Sequence, residues 1–274
     1  MKFSEAQTDE DMIQVLTNAA GIKHHRSNGE QNYVYHYTNR SSALAIMKSK
    51  LWYMNSPKYM NDGLELIYLE EAKTSNIFFG SFLSEQEESI AMWSLYAQPW
   101  IDGVIIRIPV EKMKEWVKRK ARIYKADRKT KKPLELLDQP KMELHLVAYT
   151  NGESLESKED EVMRCGNQEN TNFHGILDHY SLAGYVKDMA WSYEKELRLR
   201  VSIDSNEEIE AVTIEIPDEI INSFEFITGP RFEGNLLAQM RQKVDKKFNE
   251  NRIVPSLFTG RLNRIYCDEC EKGK

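Results

Sequence analysis

"YVYHYTNRSSALAIMKSKLWYMNSP", Tyr33 to Pro57, carries three unlike patterns in one short stretch. Bulky residues alternate over Tyr33–Tyr37, which predicts a strand. Thr38 to Ser42 reads as a helix start, with a short helix over Ser41–Lys48. Leu51–Met54 is a second short strand, stopped by Ser56-Pro57. His36 sits at the end of the first strand and has two readings. It is either a core ring bonded to a backbone carbonyl or a donor aimed at a ligand.

Outward from this unit, strands and helices continue to mix. "NIFFGSFLS" (Asn76–Ser84) reads as a strand, "EESIAMWSLYA" (Glu87–Ala97) as a helix, and "GVIIRI" (Gly103–Ile108) as a buried strand ended by Pro109. Lys112–Lys120 is helical and Met142–Tyr149 strand-like. In "WSYEKELRLRVSI" (Trp191–Ile203), Tyr193, Leu197, Leu199 and Val201 share one parity, so a strand with one buried face is expected. Glu194, Glu196, Arg198 and Arg200 then share the other face, as a solvated ladder of ion pairs unless a cleft covers it. "AVTIEI", "FEFITG" and "RLNRIYC" add strands. Residues 1–30 read as an amphipathic helix and a polar loop. Residues 31–274 form one α+β domain, less regular over 111–173. The regular rhythm of a doubly wound sheet is missing.

The composition, 41% hydrophobic and 29% charged, is that of an ordinary globular chain. No apolar run approaches bilayer length, and the acidic N-terminus lacks the features of a signal peptide, so the cytoplasm is the expected compartment. Three cysteines are too few for a disulfide framework. Cys267 and Cys270 make one C-x-x-C, half of a zinc site, and no metal is expected. Between Glu111 and Lys132 there are 11 Lys/Arg against three Asp/Glu, a net of +8 in a chain of −6 overall, so the rest carries −14. Within this run Arg119, Lys120, Arg122 and Lys125 are candidates for nucleic-acid contact, against the plainer reading of a solvated helix face. The motifs of phosphate-binding loops, nucleophile elbows and zinc proteases are absent from the sequence.

Four segments in order, "YHYTN", "LWYMNSPKYMNDGLEL", "GSFLSEQEESIAMWSLYAQPWIDGVIIRI" and "DMAWSYEKELRLRV", resemble the bacterial family of domain of unknown function 2971. The resemblance spans Tyr33 to Pro230, with Leu197 standing where that family often has Trp. A strand ending in His and a late strand carrying Glu are also similar, more remotely, to ADP-ribosyltransferases of the His-Tyr-Glu type. That second resemblance implies a split, mainly antiparallel central sheet flanked by helices, with NAD as co-substrate.

By the same resemblance, His36 belongs to the catalytic set with Glu196 and Glu194, donating to the adenosine ribose or holding the dinucleotide, and Tyr53 stacks on nicotinamide, with Tyr59 as its alternate. Tyr37, Thr38, Asn55 and Asn61 join them around the cofactor. Glu196 bonds the ribose 2′-OH and steadies the positive charge that develops on the sugar, and Glu194 assists or acts as base. Trp93 and Tyr96, one helical turn apart, belong to either core or site. The implied function is an NAD-dependent effector, a toxin or phage-defence component, modifying a nucleic acid or protein. The alternatives are a non-catalytic module binding a nucleotide or partner, and an RNA-acting phosphotransferase on the same scaffold.

Overall fold

The computed structural model describes residues 33–59, 76–84, 88–119, 121–150 and 186–261. The N-terminal helix, Asn61, Lys120, the polar stretch 153–172 and the three cysteines lie outside these residues. In the opening unit the first strand is longer than its alternation suggests: β1 runs Tyr33–Asn39. Helix α1 follows directly as Arg40–Ser49. Asn39 caps it, its Oδ1 accepting from the Ser42 amide at 2.9 Å, a bond of the kind that contributes about 1 kcal/mol. Lys50, at φ 56°, ends the helix in the left-handed conformation, its amide donating to the Ile46 carbonyl. Ala43, Leu44 and Met47 form the buried face. β2 is Leu51–Asn55.

The later strands are β3 (Ile77–Leu83), β4 (Gly103–Pro109), β5 (Ile123–Ala126), β6 (Pro133–Leu136), β7 (Lys141–Leu146), β8 (Ala148–Thr150), β9 (Val186–Asp188), β10 (Glu196–Ser202), β11 (Ala211–Glu215), β12 (Glu225–Thr228) and β13 (Ile253–Pro255). Helices α2 (Ile90–Tyr96), α3 (Val110–Lys118), α4 (Asp218–Ile221) and α5 (Leu236–Lys243) connect them. Of the stretch 111–173, the described part ends at Thr150. That part holds most of α3 and four strands, because β5 and β6 form a hairpin and β7 pairs with β10.

The main sheet has seven strands in the order β13-β12-β4-β1-β3-β10-β7, antiparallel except between β12 and β13. A second antiparallel sheet runs β2-β11-β5-β6, and β8 pairs parallel with β9. This is an α+β fold built on a mainly antiparallel open sheet. Its two central strands are joined unevenly. β1 pairs with β4 along its whole length, Tyr33 opposite Pro109 through Asn39 opposite Gly103, but its register with β3 is the single pair Tyr35–Leu83. Beyond that pair β1 and β3 diverge.

The two sheets pack through aromatic rings. Trp52 of β2 stacks on Phe82 of β3, centroids 5.1 Å apart, and meets Trp116 of α3 edge-on. Gly80 permits this closeness, since a Cβ there would sit 3.1 Å from Trp52 Nε1 and 3.6 Å from Met54 Cε. The Trp116 indole donates to the Glu215 carbonyl at 2.9 Å, which satisfies its one polar atom in the core. A smaller cluster on the other face of the main sheet gathers Tyr35, Tyr37, Leu83, Trp93 and Ile105.

β10 corrects the expected solvated ladder. Leu199 and Val201 face the main core as the alternation predicts, yet Glu196, Arg198 and Arg200 on the opposite parity are also buried. The polar face of β10 is covered as well: the Phe79 ring lies against Arg198, Glu143 against Arg200, and Tyr149 and Lys187 against Glu196. Charges so placed must be paired. Arg198 binds Glu196, and Arg200 binds Glu143 of β7 at 2.7 Å. Glu194 does not continue the strand. It ends a 3₁₀ segment, Met189–Glu194, and Lys195 at φ 44° turns the chain into β10.

Candidate functional site

A cleft of about 850 Å³ opens where β1 and β3 diverge. His36 and Thr38 of β1 line it, with Tyr53 and Asn55 of β2 opposite and Phe79, Gly80 and Ser81 of β3 between them. Tyr59 and Tyr96 also reach it. Four of the residues expected around a cofactor, His36, Thr38, Tyr53 and Asn55, thus share one concave surface, as ligand sites do.

His36 takes the first of its two readings, a ring bonded to a backbone carbonyl, and toward a ligand it is an acceptor rather than the expected donor. Its ring packs edge-on against Trp52 at 4.7 Å, and its Nδ1 lies 3.0 Å from the Ser81 carbonyl. A carbonyl only accepts, so Nδ1 bears the proton and Nε2 is left as an acceptor. Burial lowers the ring's pKa below its ordinary 6.5, only partly offset by the Ser81 bond, so the imidazole is neutral near pH 7. The ring occupies a place where a longer β1–β3 ladder would put backbone bonds.

Tyr53 and Asn55 are on one face of β2, two residues apart, and the Tyr53 hydroxyl donates to Asn55 Oδ1 at 2.7 Å. Lys131 stands over the Tyr53 ring at 5.2 Å, and Arg128 over the Tyr59 ring at 3.6 Å. Tyr37 is turned away, which corrects its expected place beside the cofactor. Its neighbour His36 points to the cleft, so alternation sends Tyr37 to the opposite face. There it packs on Trp93 and its oxygen accepts from the Ser89 amide at 2.9 Å. The α2 pair also divides: Trp93 is core, and Tyr96 reaches the cleft.

Glu194 lies one hydrogen bond behind the wall, and Glu196 shares Lys187 with it. Ser81, opposite Arg198 in the β3–β10 ladder, lines the cleft; its carbonyl accepts from His36, and its side chain favours the charged form of the Glu196 carboxylate. Arg198 holds the Glu196 carboxylate with two bonds, 2.8 Å from Nε and 2.7 Å from Nη2, and Lys187 Nζ stands at 3.5 Å. Burial by itself would push this carboxyl up. Arg198 outweighs it, and with Lys187 and Ser81 holds the pKa at about 2. Tyr96 provides the link to the cleft, donating to Glu194 Oε1, while Lys187 reaches Glu194 Oε2 at 2.5 Å. Burial and then the Glu194 carboxylate push the Tyr96 hydroxyl up, so it remains a donor. Tyr149 donates from its hydroxyl side to nothing in this group but accepts the Glu196 amide at 2.8 Å, fixing the start of β10.

Ser81, Lys187 and Tyr149 are the members that sequence reasoning missed. Ser81 had a faint signal, a small polar residue after Gly in an apolar strand. Lys187 had none, because a lysine in "VKD" looks exposed until the fold buries it.

The proposed nucleic-acid residues are neutralised locally. Arg119 pairs with Glu115 at 2.5 Å and with Glu219, Arg122 with Glu215 at 2.6 Å, and Lys125 with Glu207 at 3.1 Å. Among the described residues no three His, Cys, Asp or Glu converge as a metal site, and no helix is long and apolar enough to cross a membrane.

The family described as "Protein of unknown function (DUF2971)" matches residues 92–199. The match includes most of α2, with Tyr96, and extends into β10, covering Lys187, Glu194 and Glu196; β1, β2 and β3 fall outside it. No curated protein and no solved structure matches the chain.

Proposed function

We propose that the cleft binds NAD and that the protein is an ADP-ribosyltransferase-like enzyme, an effector of the toxin or phage-defence kind. The supporting observation is the company kept along one gap in the sheet. His36, Thr38, Tyr53 and Asn55 line it, and the buried Glu194 carboxylate stands one hydrogen bond behind Tyr96, with Glu196 joined to it through their shared Lys187.

In the proposed reaction the bond between ribose C1′ and the nicotinamide nitrogen breaks, and its electron pair neutralises the pyridinium. The ribose passes through an oxocarbenium-like state, and an acceptor nucleophile then bonds C1′ and gives up its proton. Such a reaction asks for positioning and a fixed negative field more than for a strong nucleophile. Neutral His36 offers Nε2 as an acceptor for a ribose hydroxyl, and Tyr53 offers a ring face. Tyr96 conveys the charge of Glu194 to the cleft surface.

The test is nicotinamide release from labelled NAD by the purified chain, with Glu194→Gln, Glu196→Gln and Tyr53→Ala beside it. Release by the parent and its loss in Glu194→Gln, at unchanged melting temperature, is the expected result. Inert parent protein that still binds NAD selects a second reading, a nucleotide-binding module without turnover. That reading is favoured by one observation: both carboxylates already accept bonds from cations, Glu196 from Arg198 and Glu194 from Lys187.

A further inference from the structure

We infer that the tip of the β5–β6 hairpin, Asp127–Lys132, is a docking site for a single-stranded nucleic acid at the mouth of the cleft. The basic run of this chain has two parts with different fates. Its first part is spent on the protein's own acids, as the pairs of Arg119, Arg122 and Lys125 show. Arg128, Lys131 and Lys132 form no ion pair among the described residues, and Thr130, Lys131 and Lys132 line the cleft.

The tip is held in shape without using those cations. Asp127 Oδ1 accepts from the Thr130 amide at 2.6 Å and its hydroxyl at 2.7 Å, and the Asp127 amide donates to the Lys132 carbonyl at 2.9 Å. The one acid of the tip is thereby turned inward. Arg128 lies over the half-exposed Tyr59 ring and Lys131 over Tyr53, so aromatic faces and cations alternate along the rim. Bases stack on aromatic rings and guanidinium planes while phosphates seek the cations.

The charge count separates a strand from a dinucleotide. A pyrophosphate carries two negative charges, whereas the tip holds four cations, Arg128, Lys129, Lys131 and Lys132, against the single Asp127. That excess fits a polyanion. On a chain of net −6, a polyanion meets attraction only at such a local exception. The inference is independent of the transferase reading: the strand is the acceptor if the cleft turns NAD over, and a bound partner if it does not.

Fluorescence anisotropy of a labelled single-stranded oligonucleotide with the full chain tests it. Three phosphate contacts give a log–log salt slope of about −2, so affinity falls about 15-fold between roughly 50 and 200 mM salt. The triple variant Arg128→Ser, Lys131→Asn, Lys132→Ser abolishes the slope, Asn being suited to the left-handed φ of 58° at Lys131. Arg119→Ser with Arg122→Ser leaves it unchanged. If the triple variant fails to fold, the single Lys132→Glu and the parent's own salt slope carry the test. No binding by the parent, equal loss in both variants, or loss of NAD binding alone (a pyrophosphate clamp) would each overturn the inference.

Discussion

Replacing Arg198 by Met keeps most of the side chain's length and removes only its charge and donors. Arg198 is fully buried and gives Glu196 two charge-assisted bonds, 2.8 and 2.7 Å long. The Glu196 carboxyl titrates at about 2 rather than 4.5, a difference of order 3 kcal/mol between its two protonation states. Breaking one side of a buried pair typically costs about 3–5 kcal/mol, because the abandoned charge has lost its solvent and its partner. Urea denaturation of Arg198→Met at pH 7 is therefore expected to show a loss in that range.

The acid limb provides an internal check on the sign. In the parent, Glu196 binds protons more weakly folded than unfolded, so its contribution is present above about pH 4.5 and disappears as the pH falls through about 2. In Arg198→Met, burial dominates and the carboxyl titrates higher, so the stability difference between the proteins narrows on acidification. A second variant, Arg198→Met with Glu196→Leu, removes both charges and recovers much of the loss. A cost below about 1 kcal/mol at pH 7, or a gap that widens in acid, would refute the reasoning.

Three further outcomes follow from other parts of the structure. Gly80→Ala brings a Cβ to 3.1 Å from Trp52 Nε1 and is expected to cost about 1–2 kcal/mol, read as a lowered melting temperature; an unchanged value would show that the sheets can separate freely. His36 is held neutral below its ordinary pKa, so the unfolded chain takes up a proton the folded one refuses, and stability declines as pH drops below about 6.5. His36→Gln flattens that decline in urea titrations between pH 7.5 and 5.5, and an identical slope in both proteins would contradict it. Tyr96→Phe removes the donor to Glu194; nicotinamide release falls roughly a hundredfold while the melt shifts by only a few degrees, and undiminished release would disconnect Glu194 from the cleft.

Local patterns gave the elements, and long-range pairing gave their meaning. The alternation of Tyr33–Tyr37, the helix start within Thr38–Ser42 and the strand stop at Ser56-Pro57 were all legible, because each is decided within a few residues. The Glu/Arg alternation of β10 was misread for the opposite reason. Parity identifies two faces of a strand but cannot say whether anything covers the second one, and here Phe79, Tyr149 and Lys187 do. His36 was recognisable as a polar group on an apolar strand, Tyr53 and Asn55 only through the resemblance, and all three line the cleft. Ser81 gave a faint signal and Lys187 none, since their importance comes from partners 45 and 9 residues away.

The divergence of β1 from β3 has a mechanical consequence. Strands elsewhere in the main sheet are laced by several rungs, whereas these two share the single Tyr35–Leu83 rung, with His36 wedged against Ser81 beside it. Along that line the spacing is set by side-chain volume rather than by backbone register. The aperture can therefore be widened or narrowed by changing the wedge alone, with each half of the sheet keeping its own lacing to β4 or to β10.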